Sequence, residues 1–280
     1  MNEQRSVSMP TPAPGRFLDV NGASIHHLDI GAGPPVVVLH GGSASNHPLC
    51  DESAWGWNAH LQTLSQTHRV IAPDLRGHAW TVNSAGEVSY DMLAADLGGL
   101  IRGLGLERPP VIGFSDGGVA ATILSITEPE VLGPLVNIAG YDLFDPGAPS
   151  MGLVRRWLGG SDHATEPDLD RLDAAGGRDH EVLLLTHDAA QGPGAWRRLF
   201  VDAFRRWTSP IGYAFEDLDR VGVPTLIMAG DRDVFCRPED SVRAYRSIRD
   251  AELAVIPGAG HVICAAMIPI ALDFIARRQA

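Results

Sequence analysis

Four short stretches carry the residue types that covalent acyl chemistry needs, and each follows an apolar run. The first is Val111-Ile112-Gly113-Phe114-Ser115-Asp116-Gly117-Gly118. A serine on a sharp strand-to-helix turn exposes its hydroxyl to a cleft, and side chains two positions before and after it would collide, so Gly113 and Gly117 fit that turn. The second is Leu39-His40-Gly41-Gly42. A His-Gly-Gly turn offers backbone N–H groups, and the expected oxyanion donors are Gly42 and Asp116, both through the main chain. The third is Met228-Ala229-Gly230-Asp231-Arg232-Asp233. A carboxylate here can orient a histidine; Asp233 is preferred because it lies further into the loop, which leaves Asp231 to cap the loop, while Asp142 is a lesser alternative. The fourth is Pro257-Gly258-Ala259-Gly260-His261, where small neighbours let an imidazole reach the serine. Together they suggest a nucleophile, Ser115, a base, His261, and an orienting acid, Asp233.

These residues need elements to hold them. Phe17–Val20 and Ala23–Asp29 read as two strands around an Asn21-Gly22 turn, a hairpin signal. Val36–Leu39 is a continuous apolar run, as are Arg69–Ala72, Pro110–Phe114, Leu135–Ala139, Pro224–Ala229 and Leu253–Ile256, which suits strands buried on both faces. Leu93, Leu97, Leu100, Ile101 and Leu104 mark one face of a helix. A helix is expected from Ser115 to about Glu128, and a last one from Pro269. Alternating strands and helices predict an α/β fold with a mostly parallel sheet.

Residues 141–222 break the alternation. Trp196, Leu199, Phe200, Ala203, Phe204 and Trp207 form a helical stripe, with Arg197, Arg198, Arg205 and Arg206 off it. The expected organisation is a flexible leader at 1–16, a core at 17–140 and 223–280, and a helical cap at 141–222. The stripe serves either as the cap's own core or, in part, as a substrate surface. Asp116, Phe114, Tyr141, Trp196 and Val262 are the expected substrate contacts.

The order Ser115, Asp233, His261, with each residue at a strand end, is that of the α/β-hydrolase superfamily, which the chain resembles over about residues 17 to 278. Ala72-Pro73-Asp74-Leu75-Arg76-Gly77-His78 also resembles a family loop, although Ala79-Trp80-Thr81 replaces its usual small continuation. Ser43–Trp55 is longer than in common members. The resemblance implies serine esterase chemistry on a small or medium ester, thioester, lactone or peptide-like amide, with no cofactor. Serine at the nucleophile position argues against the aspartate-dependent route usual in epoxide hydrolases and dehalogenases of this fold. The Ser-Asp-Gly-Gly elbow resembles the biphenyl-hydrolase-like group, in which amino-acid esters are substrates, so Asp116 would either meet a substrate ammonium or cap its helix and favour the helix dipole. Two further readings stay open: a tailoring enzyme for a natural product such as an antibiotic, using lyase, ring-opening or perhydrolase chemistry, and a non-catalytic receptor.

Composition narrows the field. The chain has 280 residues, 45% hydrophobic and 20% charged, an ordinary globular balance. Its formal net charge of -12 disfavours nucleic acid as a partner. All 22 basic residues are arginine, which excludes Schiff-base chemistry and a Walker-type phosphate loop and fits a GC-rich genome. Cys50, Cys236 and Cys264 form no CxxC pair, and no two of the 11 histidines have metal-ligand spacing, so neither a disulfide framework nor a metal site is expected. The start of the chain has no apolar signal region, and Val262–Leu272 is too short to cross a bilayer. A cytoplasmic enzyme acting on a small molecule is the expectation, with no membrane or nucleic-acid partner and an oligomeric state that the sequence leaves open.

Overall fold

The computed structural model describes residues 15–45 and 57–279. Most of the expected leader and of the Ser43–Trp55 stretch, Cys50 included, lies outside the described residues. The leader's last position, Arg16, instead opens the first strand.

Eight strands form one sheet: β1 (Arg16–Val20), β2 (Ala23–Ile30), β3 (Pro35–Leu39), β4 (Arg69–Pro73), β5 (Val111–Phe114), β6 (Leu135–Ile138), β7 (Thr225–Gly230) and β8 (Ala251–Ile256). They lie in the order β1-β2-β4-β3-β5-β6-β7-β8. The pairs β1–β2 and β2–β4 are antiparallel, and every other pair is parallel. Asn21 and Gly22 both have positive φ, 48° and 76°, as a two-residue turn matched to strand twist requires. Val36–Val38, Val111, Ile112 and Val136 are fully buried, because helices cover both faces of the parallel strands.

The helices are α1 (Asn58–Leu64), α2 (Tyr90–Gly103), α3 (Asp116–Thr127), α4 (Pro149–Gly159), α5 (Leu169–Ala175), α6 (Arg178–Leu183), α7 (Ala189–Gln191), α8 (Ala195–Trp207), α9 (Pro238–Ser247) and α10 (Met267–Gln279). Ser89 starts α2 by accepting the Met92 N–H, and Leu93, Leu97, Leu100 and Ile101 are its buried face. Helix α10 begins two residues before the expected Pro269. Proline is tolerated there because the first four N–H groups of a helix have no partner within it. Helices α4 to α8 run between β6 and β7. Val154, Leu158, Leu183, Trp196, Phe200 and Phe204 pack together there as a cluster separate from the main core.

This topology sets the site's location. After β3 the chain moves to β4 on one side, then crosses back to β5 on the other side of β3. Loops diverge at such a reversal and leave a crevice beyond the carboxyl ends of the strands. Leu39 pairs with Gly113, Gly113 with Asn137, Ile138 with Met228 and Gly230 with Ile256. The loops beginning at His40, Ser115, Asp231 and Pro257 therefore all emerge along one edge.

Candidate active site

Ser115 sits on the turn between β5 and α3 with φ 50° and ψ −119°, a strained conformation for a residue with a side chain. The turn closes only because its flanks are bare. A Cβ on Gly113 would lie 2.5 Å from the Gly117 carbonyl oxygen, and one on Gly117 would lie 2.6 Å from that of His40. His261 Nδ1 donates to Asp233 Oδ2 at 2.8 Å. This leaves the Nε2 lone pair to accept the Ser115 hydroxyl at 3.1 Å. Asp233 is buried, and its other oxygen accepts the Phe235 and Cys236 N–H groups at 2.9 and 3.0 Å. With both oxygens engaged, it is held as an oriented acceptor. Asp231 instead accepts the Gly258 N–H and ties the β7 and β8 loops together. These loops approach so closely that a Cβ on Gly230 would lie 2.2 Å from the Ala259 carbonyl oxygen.

The turn after β3 is pinned from beneath. His40 is buried, donates from Nδ1 to the Gly41 carbonyl at 2.7 Å and accepts the Leu75 N–H at Nε2. Burial depresses its pKa, so the ring stays neutral and keeps one donor and one acceptor. His78 lies beside it, with ring centres 4.9 Å apart, and His187 lies 5.8 Å beyond. His187 belongs to a π-helical turn, Leu184–Asp188, between α6 and α7. It accepts the Ala79 N–H at 2.9 Å and donates to the Ser43 carbonyl at 3.3 Å. The unusual Ala79-Trp80-Thr81 continuation thus anchors the insertion to the β3 turn.

A cleft opens over Ser115 and His261. Its walls are largely apolar, with Phe114, Val119, Leu143, Val154, Trp157 and Phe235 among them. Asp142 and Ser150 add polar atoms. Burial raises the Asp142 carboxyl to about 6, opposed by Ser150 and His261 and reinforced by Asp233 and Asp240. Among the described residues, no group of three or more His, Cys, Asp or Glu side chains is arranged to hold a metal ion.

Of the expected contacts, Phe114 and Asp116 line the cleft, and three others do not. Tyr141 is 0% exposed and packs on Phe144 in the main core. Trp196, 2% exposed, packs against His180 and Phe200 inside the insertion, so the stripe is mostly that layer's own core. Val262 follows a tight turn, its N–H bonded to the Gly260 carbonyl, that aims His261 at Ser115 and leaves its neighbour off the wall. Asp116 lies in the first turn of α3, where an acidic side chain suits the helix dipole. It is closed to a substrate ammonium: Oδ1 accepts from Tyr90 Oη at 2.9 Å and Trp207 Nε1 at 2.7 Å, and Oδ2 accepts from Arg206 Nε at 3.2 Å and Nη2 at 2.9 Å. Arg206, expected off the stripe, is instead buried, its side chain 3% exposed. It falls three residues after Ala203 and seven after Leu199, which places it at the stripe's edge. Nothing local in Arg205-Arg206-Trp207 marks which arginine turns inward.

By sequence, residues 36–268 match the alpha/beta hydrolase family. The chain is 27% identical over 265 residues to a 2-hydroxy-6-oxo-2,4-heptadienoate hydrolase of Pseudomonas putida, covering 88% of this chain and 89% of that protein. It is 28% identical over 262 residues to a non-heme haloperoxidase of Rhodococcus erythropolis, covering 87% and 91%. In three dimensions it resembles a meta-cleavage product hydrolase variant with a TM-score of 0.73, 23% identity and coverage of 94% and 98%.

Proposed function

The chain belongs to the alpha/beta hydrolase family and is a hydrolase, and from that premise we propose that it cleaves a small or medium uncharged ester, or a related acyl bond, through an acyl-enzyme on Ser115. The observation that carries this reading is the unbroken chain Asp233–His261–Ser115 at the topological switch point. Ser115 Oγ attacks the carbonyl carbon while His261 Nε2 takes its proton. Asp233 stays ionised and stabilises the imidazolium. The carbonyl oxygen becomes an oxyanion held by the Gly42 and Asp116 N–H groups. Collapse expels the leaving group, which receives the proton from Nε2. Water, deprotonated by the same nitrogen, then releases the acid and restores the hydroxyl. Residues 141–222 act as a cap, a reading supported by Val154, Trp157 and Trp207 in the cleft wall.

The substrate class follows from charge. The relative from Pseudomonas putida is named for a carboxylate-bearing substrate. Here no arginine lines the cleft among the described residues, and residues 46–56 contain none. Arg206 is consumed by Asp116, and the carboxyl facing the space is Asp142. An anionic acyl chain would enter without a counter-charge, which favours neutral substrates.

The test is intact-mass analysis after treatment with an alkyl fluorophosphonate, followed by hydrolysis of p-nitrophenyl butyrate. One adduct on wild type, absent from Ser115→Ala together with turnover, is expected. Wild-type protein that neither labels nor turns over the ester would overturn the proposal.

A further inference from the structure

The residue after the proposed nucleophile would normally contribute only its N–H, but here it brings a carboxylate into the oxyanion site. Asp116 is 2% exposed. A Cβ on Gly42 would lie 2.7 Å from Asp116 Oδ2 and 2.2 Å from Trp207 Cζ2. The carboxylate and the indole therefore press against the backbone of the other proposed donor. A bare negative charge here would oppose the oxyanion where water cannot screen it. Three partners surround it: Tyr90 from α2, and Arg206 and Trp207 from the end of α8. The guanidinium also lies over the Tyr90 ring, 5.6 Å from its centre.

We propose that Arg206 is a positioning residue that completes the oxyanion site by neutralising Asp116, so that the site is competent only when α8 is docked on the nucleophile turn. The inference rests on the acyl-enzyme reading above. The core supplies both backbone donors together with an opposing charge, and the insertion supplies the cation that cancels it. Trp207 and Tyr90 fill the remaining lone pairs of the carboxylate and fix its plane. Together these contacts prevent the carboxylate from turning toward the reacting carbonyl.

The experiment uses p-nitrophenyl butyrate as reporter and butylboronic acid as the probe of the tetrahedral state, with folding followed by circular dichroism and Tm. Arg206→Met should lower kcat about 10²-fold and weaken the boronic acid by a similar factor, while KM stays within about threefold. Arg206→Lys should retain more activity than Arg206→Met. The double variant Asp116→Asn/Arg206→Met, which removes both charges, should recover to within about tenfold of the wild-type kcat. A folded Arg206→Met with kcat within about threefold of wild type overturns the proposal. So does a double variant no faster than the single, because the loss would then come from displaced helix rather than unbalanced charge. If Arg206→Met does not fold, the double variant decides on the same tenfold criterion. Failure of wild-type fluorophosphonate labelling would remove the parent reading, whereas labelling with an indifferent Arg206→Met removes this inference alone.

Discussion

At the scale of single residues, what matters is which atoms are already committed. Both oxygens of Asp233 accept N–H donors, and one of those donors is the His261 ring. Asp233→Asn would present an NH2 group to Nδ1, move the ring proton to Nε2 and leave no lone pair for the Ser115 hydroxyl. A fall in kcat of about 10⁴-fold with little change in fold is expected, read by steady-state ester hydrolysis beside a thermal melt. Gly42→Ala tests the other side of the carbonyl. Its methyl group has no room beside Trp207 and Asp116. The turn must shift, and kcat should drop about 10²–10³-fold, with a change in tryptophan emission reporting the displaced indole. The serine, the two glycines around it and the preferred aspartate were legible in the sequence because a sharp turn tolerates so few residue types. The partners of Asp116 were not, because they come from 26, 90 and 91 positions away.

Elements bring their own chemistry. The π-helical turn Leu184–Asp188 carries His187 into contact with two core loops, and a π-turn often marks such a local demand. Burial, with His40 adding to it and Ser43, Asp74 and Asp188 opposing, lowers the His187 pKa to about 4. The folded state thus resists a proton that the unfolded state accepts near the ordinary 6.5. Stability from this group is fully present above pH 6.5 and is lost as pH falls toward 4, amounting to about 2 kcal/mol by pH 5. Urea melts at pH 7.5 and 5.0 should show that loss. His187→Gln, which can keep one acceptor and one donor, should show a loss smaller by about that amount. An equal acid sensitivity in both proteins would assign the effect to other groups. Sequence periodicity located α8 but not the π-turn, since a five-residue irregularity held by tertiary contacts leaves no repeat to read.

Over the whole molecule, net charge and cleft chemistry act in the same direction. A formal charge of -12 repels anions at long range, and Asp142 repels them inside the cleft. The butyrate ester should exceed the matching hemisuccinate ester at least about tenfold in kcat/KM at low salt. High salt should narrow the gap in its long-range part, and Asp142→Asn in its local part. Equal rates for the two esters would sink the preference for neutral substrates. Arg206 links the same scales from within, because a cation on the insertion is paired with an acid of the core.

The sequence by itself determined the sheet, the strand-end loops and the order of serine, aspartate and histidine. Those features depend on local rules: apolar runs for buried strands, a bare turn for a strained serine, and an Asn-Gly pair for the hairpin. Only the tertiary structure decided which tryptophans face the cleft, which arginine is buried and what occupies the Asp116 carboxylate. Those outcomes depend on how α8 docks on the nucleophile turn, where desolvation makes a buried charge find its partner across the chain rather than along it.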